Sequence, residues 1–184
     1  MTTTTQQYDQ VINSCKEIFL KKTNDYGTAW RVLRSISIID QIFIKAQRIR
    51  TIQEKKKQRV EDDITSEIKG IINYALIGLM QLELPEDTGE DLNVEAVSGL
   101  YDTNADAAKR IMEDKNHDYG EAWRKMSQES FIDLILMKIQ RIRKILANDG
   151  KTLISEGIDA NYIDIINYAV FALILNMENP QLIS

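Results

Sequence analysis

Three kinds of residue return in this chain at fixed spacing and could do chemistry together: cations on one helix edge, carboxylates on another helix, and an Asp-Tyr-Gly turn. Lys45 and Arg48 lie one helical turn apart, and Lys138 and Arg141 repeat them 93 positions later. At about 100° per residue this pair borders the apolar stripe formed by Ile38, Ile42, Ala46 and Ile49, so its charges reach the edge of a buried face. Such a pair can hold a phosphate, Arg by a forked contact and Lys as a point charge. The same geometry suits long side chains that run beside a core and pair with acidic neighbours. Arg50 and Arg143 fall inside the apolar arc, where charge is costly unless paired, so each is expected to meet a carboxylate or an interface.

Glu156, Asp164 and Asn167 fall within roughly 80° of one another on a later helix. Glu156 and Asp164 stand about 12 Å apart along its axis, too far to chelate one ion unaided, although each could join a site completed by a facing helix. Asn73 and Asn167 sit in apolar runs, and a buried amide needs partners, either as a structural bridge or as a reader of a ligand. In NDYGTAW (24–30) and HDYGEAW (117–123), Gly27 and Gly120 suit a helix end with positive φ, while Trp30 and Trp123 anchor the next piece of chain. That leaves Asp25, Asp118, Tyr26 and Tyr119 to be explained. A ring beside a carboxylate in a turn would stack a base near a metal. His117 aligns with Asn24 and Cys15 with Ala108, so neither is taken as a ligand or a nucleophile. The run EKKKQR (54–59) has no second copy and reads as a solvated helix end.

The elements that carry these residues come from a duplication. An offset of 93 lays KTNDYGTAWR (22–31) on KNHDYGEAWR (115–124) and DQIFIKAQRIR (40–50) on DLILMKIQRIR (133–143), with seven identities in each pair. One inserted residue later, GIINYAL (70–76) falls on DIINYAV (164–170). Each unit reads as a first helix (about 6–23; 102–116), the DYG turn, a second helix (about 36–56; 129–147) and a third (about 61–82; 157–177). The predicted division is a first repeat over 6–82, an acidic linker over 83–100 and a second repeat over 101–179, packed about a pseudo-twofold axis. Only two prolines and eight glycines punctuate 184 residues, and 43% apolar content supplies a core, so the fold class is all-α. Within the third helix, each copy keeps one half of an acidic pair: Asp164 stands opposite Gly70, and Glu67 opposite Asn161.

Taken in order, the blocks DYG.AW, D....K.QRIR and IINYA resemble the nucleotide modification associated domain 1 family, and the resemblance covers both copies. That family in turn resembles the all-α MazG-like nucleoside triphosphate pyrophosphohydrolases, which hold Mg²⁺ on acidic helix motifs and cleave between the α and β phosphates. The resemblance implies a nucleotide ligand and Mg²⁺. On that view Asp118, Glu156 and Asp164, with Asp25, Asp62 or Glu67 from the other unit, would hold the metal and orient water. Lys45, Arg48, Lys138 and Arg141 would neutralise phosphates, and Tyr26, Tyr119, Asn73 and Asn167 would contact base or sugar.

Three readings stand side by side: a Mg²⁺-dependent pyrophosphohydrolase, a non-catalytic nucleotide-binding module, and a helical interaction protein whose duplicated faces serve packing or a homodimer. A net charge of −5 argues against bulk nucleic-acid or anionic-membrane binding. The opening MTTTTQQYDQ lacks the basic start and apolar run of a secretory signal, and the longest uninterrupted apolar candidate, around 169–175, is shorter than a membrane span. A cytoplasmic location is the expectation.

Overall fold

Six long helices form where the apolar periodicity places them, in a computed structural model that describes residues 2–56, 63–153 and 156–180. They are α1 (Thr4–Tyr26), α2 (Ser35–Lys55), α3 (Ile64–Glu83), α4 (Val94–Tyr119), α5 (Gln128–Ala147) and α6 (Ile158–Glu178). The described residues contain no strand, so the all-α class holds. Caps decide where the helices begin. Thr3 and Gln6 form a capping box on α1, and the Asp63 carboxylate accepts from the Ser66 amide on α3. Asn93 accepts from the amides of Glu95 and Ala96, which starts α4 at Val94, inside the stretch read from sequence as acidic linker and eight residues before the expected start at 102. The linker's acidic composition hid that cap.

Both DYG turns close their helices as glycine chemistry requires. Gly27 and Gly120 carry φ of +63° and +59°, and their amides donate to the carbonyls of Thr23 and Asn116. Single turns of 3-10 helix, Ala29–Val32 and Ala122–Lys125, follow them.

The helices stack as three layers, each made of one helix from either repeat: α2 on α5, α3 on α6, and α1 on α4. The α3/α6 layer lies in the middle, and α1 scarcely touches α2. Ile71, Ile72, Ala75 and Leu76 of α3, with Ile165, Ile166, Ala169 and Val170 of α6, are therefore fully buried. Gly78 lets the ring of Tyr162 lie against the α3 backbone, where a Cβ would stand only 2.5 Å from Cζ. Helix α6 is long and apolar enough to cross a membrane by composition, yet 72% of its most apolar window is buried inside the bundle, as befits a core helix.

Polar pairs across the repeats obey the pseudo-twofold axis. Lys16 meets Asp102 and Lys109 meets Asp9, both at 2.8 Å. Arg143 meets Asp40 at 2.9 Å, and Arg50 reaches Asp133 at 3.7 Å. The two arginines thus find carboxylates at an interface, as expected, although both stay partly exposed on its seam. Exposed pairs of this kind contribute little, so the apolar layers hold the halves together.

Candidate functional site

Because α1 and α2 occupy outer layers that do not pack on each other, a cleft opens between them with α3 as its floor. It encloses about 520 Å³. The turn of the first repeat lends Trp30 and Leu33 to its wall and α3 lends Ile77, while Tyr26, exposed at the end of α1, also lines it. Lys22 comes from α1, Lys45 from α2, and Glu67, Lys69, Asn73 and Tyr74 from α3. Aromatic and aliphatic walls with a few converging polar groups are the usual make-up of a small-molecule site. The indole Nε1 of Trp30 is buried without a hydrogen-bond partner among the described residues. A buried donor left so costs about 1–3 kcal/mol.

The charges of the cleft are unbalanced. Three lysines line it against one carboxylate, Glu67. That carboxylate lies in the first turn of α3, 3.7 Å from Lys45 Nζ and 3.4 Å from Arg48 Nη1. Asp63, just before it, has its carboxyl held below the usual range by the hydrogen bond from the Ser66 amide. Lys45 runs across Gly70, where a Cβ would come within 2.9 Å of its Cε and 3.2 Å of its Nζ.

The matching place in the second repeat is filled by the chain itself. Asp164, which replaces Gly70, accepts from Lys115 of α4 at 2.9 Å and from Lys138 of α5 at 2.8 Å, so one carboxylate ties three helices together. Burial acts to depress the Lys115 amine, but the hydrogen bond and charge of Asp164 outweigh it, and the net direction is up. Phe171, which replaces Ile77, stacks on Trp123 with centroids 4.1 Å apart and planes 5° from parallel. Asn116, which replaces Thr23, accepts the indole N–H of Trp123 at 3.1 Å. Each feature that leaves the first cleft open or unsatisfied has a closing substitution here.

The other residues singled out from sequence are dispersed. Asn73 and Asn167 are spent on the fold. Asn73 accepts from Tyr101 and donates to the Cys15 carbonyl, while Asn167 accepts from Tyr8 and donates to the Ala108 carbonyl. Asn73 still borders the cleft. Asp25 and Tyr119 are exposed, and Asp118 is exposed beside His117. Arg141 and Glu156 line a separate groove with Lys144 and Lys151, away from the first cleft. Asp62 lies outside the described residues. Among those described, no three His, Cys, Asp or Glu side chains gather closely enough to hold a metal ion.

Sequence reasoning passed over Lys22, Lys69 and Trp30 as ligand contacts. Lys22 and Trp30 stand inside the repeated block, where a match to Lys115 and Trp123 invites a shared structural role. Lys69 aligns with Ile163, and that loss of symmetry was the available signal. Arg31 and Arg124, also in the block, clamp chain segments. Arg31 donates to the carbonyls of Pro85 and Gly89 and to Gln81, whereas Arg124 donates to Thr4, Gln7 and Glu178.

Comparison with known proteins adds one match. The family model described as nucleotide modification associated domain 1, also called domain of unknown function 1599, matches residues 22–82 and again 115–175. No curated protein and no solved structure matches the chain.

Proposed function

Since both repeats match, the chain belongs to the nucleotide modification associated domain 1 family, and from that premise we propose that it is a nucleotide-binding protein whose ligand enters the cleft of the first repeat. The observation that carries this reading is the cleft itself, where aromatic walls and three lysines converge in about 520 Å³. That volume lies in the range of small-molecule sites. Tyr26, Trp30 and Tyr74 offer faces for a base, and the lysines offer charge for phosphates.

The resemblance to MazG-like enzymes would add Mg²⁺, and the described residues do not fit that ion. Both oxygens of Asp164 are engaged by lysines, Glu67 already faces Lys45 and Arg48, and Asp118 lies exposed beside His117. Mg²⁺ takes six oxygen ligands, one or two of them carboxylates and the rest waters or substrate phosphates, and at Asp164 or Glu67 it would have to displace these ammonium groups. The geometry therefore favours the binding module over the metal-dependent pyrophosphohydrolase.

The test is calorimetric titration of the full chain with nucleoside mono-, di- and triphosphates, with Mg²⁺ and with chelator, alongside separation of any products. Saturable binding that persists in chelator with no product supports the reading. Metal-dependent release of monophosphate and pyrophosphate would replace it with the enzyme.

A further inference from the structure

We infer that the first repeat binds a compact anion, the phosphate end of its ligand, between Lys22 and Lys45 at Gly70, and that Asp164 is the built-in occupant of the same place in the second repeat, so each chain has one site rather than two. The repeats make the comparison internal to one molecule. Lys115 and Lys138 converge from α4 and α5 on the Asp164 carboxylate, at 2.9 and 2.8 Å. Their counterparts Lys22 and Lys45 line one cleft from α1 and α2, and Lys45 passes Gly70 of α3, which carries no side chain. Three lysines share this cleft with one carboxylate, Glu67, so positive charge is left over and the arrangement calls for an anion.

Glu67 does not fill the place. Its oxygens lie 3.7 Å from Lys45 and 3.4 Å from Arg48, one turn of α3 before Gly70, and among the described residues neither Lys22 nor Lys69 makes an ion pair. A carboxylate and a phosphate oxygen are both hard acceptors that take charge-assisted bonds from lysine, so one can stand in for the other. The buried Trp30 N–H has no hydrogen-bond partner among the described residues, a second difference between the repeats. Its counterpart Trp123 has Asn116.

The inference rests on the nucleotide reading only for the organic part of the ligand; the lysine pair would take any compact phosphate. The test titrates ATP, AMP and inorganic pyrophosphate into the full chain and into Gly70→Asp, Lys22→Met and Lys115→Met. Gly70→Asp supplies the first repeat with the carboxylate of the second, and Lys45, the flexible chain it meets, can move aside. Binding is expected at one equivalent per chain, weakened at least tenfold in Gly70→Asp and in Lys22→Met, and within twofold of the parent in Lys115→Met. Lys22 is exposed, so its variant reports on binding even where Gly70→Asp fails to fold.

Pyrophosphate binding with that pattern, but no nucleotide binding, would sustain the anion place and overturn the nucleotide reading. Nucleotide binding indifferent to Gly70→Asp and Lys22→Met would do the reverse. Two equivalents per chain, equal losses in Lys22→Met and Lys115→Met, or no binding of any probe to folded protein would overturn the inference.

Discussion

Tyr8 and Tyr101 donate to Asn167 and Asn73 at 2.7 Å across the pseudo-twofold axis, and burial pushes both phenols well above their ordinary range, so they remain donors. The two bonds differ in what replaces them when lost. Asn167 is sealed in the core, whereas Asn73 borders the open cleft, where water can stand in for the phenol. Tyr8→Phe is therefore expected to lower stability by about 1–3 kcal/mol, and Tyr101→Phe by less, as read from urea midpoints at constant m-value. Equal losses would mean that the cleft does not admit water to Asn73. Cys15 gives a simpler expectation. Burial pushes its thiol up to about 12, against smaller opposing effects of Lys69 and Ser14, and its carbonyl holds Asn73. A thiol reagent should label it only as fast as the protein unfolds, measured by labelling across a urea series; labelling of the native fold would refute the packing of α1. At this scale the sequence marked Asn167 as a buried amide, while its counterpart Asn73 is half-buried beside the cleft, and the partners of both are tyrosines of the opposite repeat, a pairing fixed by tertiary packing and not by local pattern.

Helices α4, α5 and α6 are joined at Asp164, and α1, α2 and α3 lack that joint. Lys138 and Asp164 are both about nine-tenths buried, so removing one charge strands the other in low dielectric. Asp164→Asn is expected to destabilise the protein by about 3–5 kcal/mol in chemical denaturation. Glu67→Gln in the first repeat should cost less, because Lys45 and Arg48 are more exposed than Lys138. A large loss in Glu67→Gln would show the first repeat closed in the same way as the second. The helices themselves were legible, since apolar periodicity, the DYG glycines and the duplicated blocks all mark the same elements. So was the exchange of Gly70 for Asp164. Its meaning was not, because Lys22 and Lys45 come to one cleft from two other helices, and only the three-layer packing brings them there.

The whole molecule is a symmetric scaffold with an asymmetric surface. Its N-terminal helix is locked to the far end by Glu178, which accepts from Gln7 and Arg124 at 2.8 Å. The Gln7 hydrogen bond, chiefly, and Arg124 hold the Glu178 carboxyl below its ordinary value of 4.5, against a smaller opposing effect of burial. A carboxyl whose folded value is depressed adds stability above its unfolded value and loses it as pH falls through the folded one. Thermal stability should thus decline as pH drops below about 4.5, and Glu178→Gln should make that decline shallower, as followed by circular dichroism melts. An unchanged slope would place the acid sensitivity elsewhere, with Asp63 the next carboxyl to test.

The two tryptophans report separately on the asymmetry between the clefts, because one lies in each repeat. Trp30 lines the open cleft, and Trp123 is stacked on Phe171. The most direct measurement is the fluorescence of two single-tryptophan proteins, Trp123→Phe and Trp30→Phe, titrated with ATP and AMP. A saturable change is expected from Trp30 in the first protein and a flat trace from Trp123 in the second. A change carried by Trp123 alone, or by neither residue, would contradict that asymmetry.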